Sequence, residues 1–158
     1  MLTGSKIRVF FISSLVVFLA VSCERNKNDV IPDVLVDFTL DIMDYPVLEA
    51  TTGSVIVDKN DTRILDRRYA GGFDDNGIII YRSMEDEFLA YDRTCPHDYA
   101  VNDLITKVNI DFTQALCPKC STYYSLFSFG TPVEGPGRYQ LKNYKTSFDG
   151  RYLRVWNN

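Results

Sequence analysis

A single histidine, His97, stands in a chain of 158 residues, and there is a single tryptophan. One imidazole leaves little room for acid–base catalysis: if His97 is a ligand, no free ring remains to act as a general base, so no catalytic triad is expected. Long apolar stretches are also missing. The longest, Val9–Val21, is thirteen residues, short of the ~20 that a bilayer-spanning helix needs. No segment carries a sustained 3.6-residue apolar stripe, which argues against a helical bundle. Internal repeats and low-complexity tracts are absent as well. A basic excess is lacking too. From Cys23 onward the chain has 15 basic against 21 acidic residues, a net charge near −6, and that balance excludes nucleic acid as the natural partner.

What the chain does have begins with a leader. Lys6 and Arg8 precede the short apolar run, and small residues follow it, in the order of a secretory signal peptide. Leu19-Ala20-Val21-Ser22-Cys23 resembles a bacterial lipobox. Residues 1–22 are therefore expected to be a lipoprotein signal peptide, and Cys23 the lipidated first residue of the mature chain. Two or more acyl chains hold a protein stably at a membrane. Residues 23–33 read as the lipidated cysteine and a polar tether, and 34–158 as one domain of a size that supports a real core. The expected location is the bacterial cell envelope, at the periplasmic face or the outer surface.

The domain reads as all-β. Val36–Asp41, Ser54–Val57, Gly77–Arg82 and Glu87–Tyr91 are rich in β-branched and aromatic residues and separated by turn signals, as short strands are. Tyr139–Lys145 and Tyr152–Trp156 flank Asp149-Gly150, a dipeptide suited to a hairpin turn. Only Ala100–Lys107 invites a helical turn. A sandwich or small barrel is expected.

The remaining cysteines and the histidine fall into two clusters, Cys95-Pro96-His97 and Cys117-Pro118-Lys119-Cys120. Each follows a predicted strand, Phe88–Tyr91 or Phe112–Leu116, so both sit on loops of a rigid sheet. Thiolates with an imidazole select zinc or iron–sulfur chemistry over hard cations. Cys95, His97, Cys117 and Cys120 are accordingly expected to converge on one metal site.

Cys-x-His, a gap of this length and then Cys-x-x-ligand resemble the Rieske iron–sulfur family. The likeness continues through Ser121-Thr122-Tyr123-Tyr124, Gly130, the Gly135-Pro136-Gly137 turn and the last hairpin. It implies an all-β, Rieske-like antiparallel sandwich with a two-loop metal-binding subdomain, the loops lying within about residues 92–137. It implies Cys95 and Cys117 on one iron of a 2Fe–2S cluster, and His97 with Cys120 on the other. Thr122 and Tyr124 would donate to cluster sulfurs, and Pro136 would lie in the covering loop. Cys120 departs from the family, whose ligand there is His, so a potential below the usual Rieske range is expected. Two other readings of the same residues stand beside the cluster: a closed Cys₃His zinc site, or no metal with Cys117 and Cys120 as a disulfide. The implied role is one-electron transfer to an unidentified redox or assembly partner, by a carrier or binding module rather than a catalyst. The alternative is a non-redox envelope lipoprotein with structural zinc or no metal.

Overall fold

The structure, a computed structural model, describes residues 30–157. The expected signal peptide, the lipid site at Cys23 and most of the tether lie outside the described residues. Among the described residues, with four single-turn 3₁₀ helices in the connections, there are ten strands and one short α-helix. They are β1 (Asp37–Asp41), β2 (Ser54–Val57), β3 (Ile78–Arg82), β4 (Phe88–Asp92), α1 (Pro96–Asn102), β5 (Asn109–Asp111), β6 (Gln114–Leu116), β7 (Tyr123–Ser125), β8 (Thr131–Glu134), β9 (Asn143–Phe148) and β10 (Tyr152–Trp156). A six-stranded sheet runs β1-β10-β9-β4-β3-β2, and a four-stranded sheet runs β5-β6-β7-β8. Every named strand pair is antiparallel. The all-β expectation holds, with the first cysteine loop running from β4 of the large sheet to β5 of the small one, and the second joining β6 to β7 within the small sheet.

The large sheet is built by alternation where one face is wet and by apolar runs where both faces are covered. In β1, Phe38 and Leu40 point inward, while Asp37 and Asp41 meet Arg154 and Arg151 at the surface. By contrast, Ile78-Ile79-Ile80-Tyr81 of β3 is buried throughout, as an unbroken apolar strand should be. Ile78 and Ile80 enter a core with Phe38, Tyr45, Leu153 and Val155. Ile79 and Tyr81 enter a second core with Tyr91, Val108, Ala115, Tyr124 and Leu141. Cys95 and Cys117 belong to that second core. A buried hydrogen bond crosses between the sheets, from the Tyr91 hydroxyl to the Leu126 carbonyl at 2.6 Å.

Several boundaries differ from the sequence reading. Ile31 is buried, and the Lys142 ammonium donates to its carbonyl at 2.9 Å and to Asp33 at 2.6 Å. The folded unit thus takes hold of the chain before Val34. The strand expected at Tyr139–Lys145 is β9, which begins only at Asn143. Phe112 is not in a strand; it turns between β5 and β6 with φ +54° and faces solvent. Of the aromatic run Tyr123–Phe129, only Tyr124 and Leu126 are buried, and Phe127 and Phe129 are exposed. The helical turn expected at Ala100–Lys107 starts earlier, at Pro96, directly on the first cysteine cluster.

Candidate metal centre

The first loop is set by the end of β4. Asp92 is buried and accepts three hydrogen bonds: from the Thr94 N–H at 2.8 Å, the Phe73 N–H at 2.6 Å and the Tyr144 hydroxyl at 2.6 Å. The Cys95 N–H then donates to the Thr106 carbonyl at 2.8 Å. From there α1 begins, with Cys95 at the N-cap position and Pro96 in the first turn. Proline suits that place because its missing N–H would have no partner inside the helix. The helix stops at Asp103, whose left-handed φ of +53° turns the chain away.

The second loop follows β6. The Cys117 N–H donates to the Thr122 carbonyl at 2.9 Å, and the Ser121 N–H donates back to the Cys117 carbonyl at 3.0 Å. This tight knuckle requires a left-handed residue, and Ser121 has φ +58°. The Gly135-Pro136-Gly137 turn lies against it. The Gly137 N–H donates to Thr122 Oγ1 at 2.9 Å, and a Cβ on Gly137 would meet Thr122 Cγ2 at 2.5 Å. Only glycine permits that approach. Pro136 itself is exposed.

Three of the four expected ligands come together. Donor atoms of Cys95, Cys117 and Cys120 lie within 4.8 Å of one another, and the fourth member of that group is Asp98. His97 stands outside it, half-buried on α1. The helix is the reason. On a helix, residues three apart share a face and residues two apart do not, so Asp98 follows Cys95 onto the site and His97 is turned aside. The sequence does not single out Asp98, because Cys95-Pro96-His97 reads there as a loop. The available signal was Cys95-Pro96 followed by an acidic residue, which marks a helix start.

Within the group, Cys95 Sγ and Cys120 Sγ are 3.7 Å apart. The Cys117 thiol donates to Asp98 Oδ2 at 3.1 Å, and the Cys120 thiol to Thr122 Oγ1 at 3.2 Å. Tyr124 Oη lies 3.3 Å from Cys95 Sγ. Both hydroxyls picked out in the sequence are therefore at sulfur. Among the described residues Cys95, Cys117 and Cys120 are free thiols, with no disulfide between Cys117 and Cys120. Cys95 is held below an ordinary thiol, because the Cys117 thiol and then the Tyr124 hydroxyl stabilise its thiolate against the cost of burial. Cys117 is pushed up by that same interaction and by burial. Burial also raises Cys120.

A Rieske cluster places two imidazoles on one iron. This chain has one imidazole, outside the group, so its residues do not fit that ligand set. They do form a sulfur-rich, buried group able to hold a metal.

No family model matches the chain, and no curated protein matches it. Among solved structures, a chain from the complex of reduced oxygenase and oxidized ferredoxin in carbazole 1,9a-dioxygenase is similar at 14% identity. That match covers 77% of this chain and 92% of that one, with a TM-score of 0.47. The ferredoxin of carbazole 1,9a-dioxygenase from Nocardioides aromaticivorans IC177 is similar at 11% identity, covering 80% and 100%, with a TM-score of 0.47. A putative nitrite reductase small subunit is similar at 12% identity, covering 78% and 98%, with a TM-score of 0.41. None of these three reaches a TM-score of 0.5, so the functional reading rests on this chain's own geometry.

Proposed function

We propose that this chain is a metal–thiolate protein of the bacterial cell envelope, anchored by lipid at Cys23, whose two loops, one leaving the large sheet and one within the small sheet, present one centre for one-electron exchange with a protein partner. The observation that carries the reading is the meeting of three thiols from two separate loops, with the Tyr124 and Thr122 hydroxyls at their sulfurs. Thiolate-held iron supplies one-electron chemistry, and hydrogen bonds to the sulfurs tune its potential. The protein's own part is to bury Cys95 and Cys117, leave Cys120 partly open beside the solvent, and keep the loops fixed through Asp92 and Gly137. The 2Fe–2S form expected from the sequence would need a ligand set other than the family's.

A second reading is favoured by the compactness of the group: a non-redox envelope module with structural zinc. Anaerobic expression followed by metal and acid-labile sulfide analysis, electron paramagnetic resonance and voltammetry separates the two. Iron with a reversible one-electron wave supports the carrier; a colourless, redox-silent zinc protein supports the module. The anchor has its own test. Cys23→Ser should release the protein from the membrane fraction, and equal retention of that variant would show that something else holds it.

A further inference from the structure

We infer that the centre takes one metal ion rather than two irons, and that Asp98 is its fourth ligand, in the place the sequence assigned to His97. The inference rests on the reading that a metal sits between the two loops, and it adds the nuclearity and the ligand set. The ion is a transition metal suited to a tetrahedron of three thiolates and one carboxylate.

Distance is the first argument. Two thiolates bound at 2.3 Å to one tetrahedral ion are about 3.8 Å apart, the edge of the tetrahedron. Cys95 Sγ and Cys120 Sγ stand at 3.7 Å, and all four donor atoms lie within 4.8 Å of one another. A two-iron cluster would hold its two ligand pairs on opposite metals, farther apart than the edge of one tetrahedron.

Charge is the second, and it is independent. Asp98 is 0% exposed, and its Oδ1 is a buried side-chain oxygen without a hydrogen-bond partner. Its other oxygen meets only a thiol. No lysine, arginine or histidine forms an ion pair with it among the described residues. A buried carboxylate without a cation is costly, and an unsatisfied buried polar atom in a native fold calls for a missing partner such as an ion. A divalent ion at the centre of the quartet answers both demands: it supplies the cation and takes a carboxylate oxygen, while the three thiols bind as thiolates and release their protons to solvent.

Symmetry of spacing is the third. Cys95-x-x-Asp98 and Cys117-x-x-Cys120 are two equal knuckles, separated by residues 99–116, eighteen in all. Two Cys-x-x-Cys pairs at a spacing of 15–20 residues are the arrangement of single-ion zinc sites, and here Asp98 stands where one of the four cysteines would be. The Rieske pattern instead uses unequal loops, and only by counting to His97 does this chain imitate it.

Cobalt(II) is the probe, because tetrahedral cobalt thiolates absorb in the near ultraviolet in proportion to the number of sulfurs bound and show strong visible bands. Metal-free full-length protein should bind one cobalt per chain with the spectrum of three thiolates. Asp98→Asn should weaken binding by more than roughly tenfold, the low end of what even a supporting residue costs. Asp98→Cys should retain one ion and raise the sulfur-to-metal absorbance by about one third. His97→Ala should leave stoichiometry, affinity and spectrum unchanged. The inference is overturned if His97→Ala abolishes the bands, if Asp98→Cys adds no absorbance, or if the protein as isolated holds two irons with labile sulfide. Wild-type protein that binds no cobalt, zinc or iron would overturn the metal reading itself, a different result from any of these. Far-ultraviolet circular dichroism on each variant separates a lost ligand from a lost fold.

Discussion

Replacing Tyr144 by phenylalanine removes one oxygen from the network that fixes the first cysteine loop. The Tyr144 hydroxyl donates to Asp92 Oδ2 at 2.6 Å, and both side chains are buried. Burial, and after it the Asp92 carboxylate, raises the Tyr144 phenol far above its ordinary value, so it remains a donor across the workable pH range. In Tyr144→Phe the ring keeps its packing. Asp92 Oδ2 still accepts the Phe73 N–H at 2.6 Å and Oδ1 the Thr94 N–H at 2.8 Å. The carboxylate is therefore weakened, not orphaned. A hydrogen bond to a charged group contributes about 1.5–3 kcal/mol, and with two donors retained we expect a loss of about 2 kcal/mol. In a domain of this size that lowers Tm by roughly 6–10 °C. Urea unfolding followed by circular dichroism and by the fluorescence of the single tryptophan would measure it, with an unchanged m-value. Coupling is the sharper check: in an Asp92→Asn background the same substitution should cost at least ~1 kcal/mol less. A loss below ~0.5 kcal/mol, the level of an ordinary surface change, or full additivity with Asp92→Asn, would refute the account of Asp92 as the hub of this loop.

Ser121 holds a left-handed φ of +58° on the second knuckle and is exposed, so Ser121→Gly should stabilise the fold by about 0.5–1 kcal/mol, readable as a higher urea midpoint. In metal-free protein, the thiolate absorbance near 240 nm should show one thiol titrating below the ordinary value and two above it; Cys95→Ser should remove the early step, and three coincident steps would contradict the coupling described. Asp61 lies below the ordinary carboxylate range, first through its bonds to Arg63 and also by accepting from Tyr45. Its contribution is present above the unfolded value of about 3.9 and is lost as pH falls through the lower folded value. Asp61→Asn should therefore be less stable than wild type at pH 6 and converge with it toward pH 2, as measured by paired urea melts.

The strands of the large sheet were legible where side chains write the pattern directly. Phe38 and Leu40 alternate with polar neighbours, Ile78–Tyr81 is apolar without a break, and Asp149-Gly150 marks the last hairpin. Strands β7 and β8 were not, because three or four residues such as Tyr-Tyr-Ser or Thr-Pro-Val-Glu are too short to carry a period. The tie of Lys142 to Ile31 and Asp33 spans more than a hundred residues and leaves no local trace. At the centre, cysteine is scarce and so conspicuous, and Thr122 and Tyr124 could be placed by their position after it. Asp98 was hidden in plain view. It is one of 21 acidic residues; Asp92 is as deeply buried and likewise without an ion pair among the described residues, and what sets Asp98 apart is a buried oxygen with no hydrogen-bond partner. His97 drew attention by its rarity, although two residues along a helix is a poor place from which to join Cys95.

The β3 strand divides its side chains between two cores, Ile78 and Ile80 to one and Ile79 and Tyr81 to the other. Each face of that wall answers to its own set of neighbours. Drift in the ligands or in the hydroxyls at the sulfurs is felt by Ile79 and Tyr81, while the Ile78 and Ile80 face continues to pack on β1 and β10. A substitution at position 98 or 120 is thus a local edit: it disturbs the surroundings of one core and leaves the packing of the other in place.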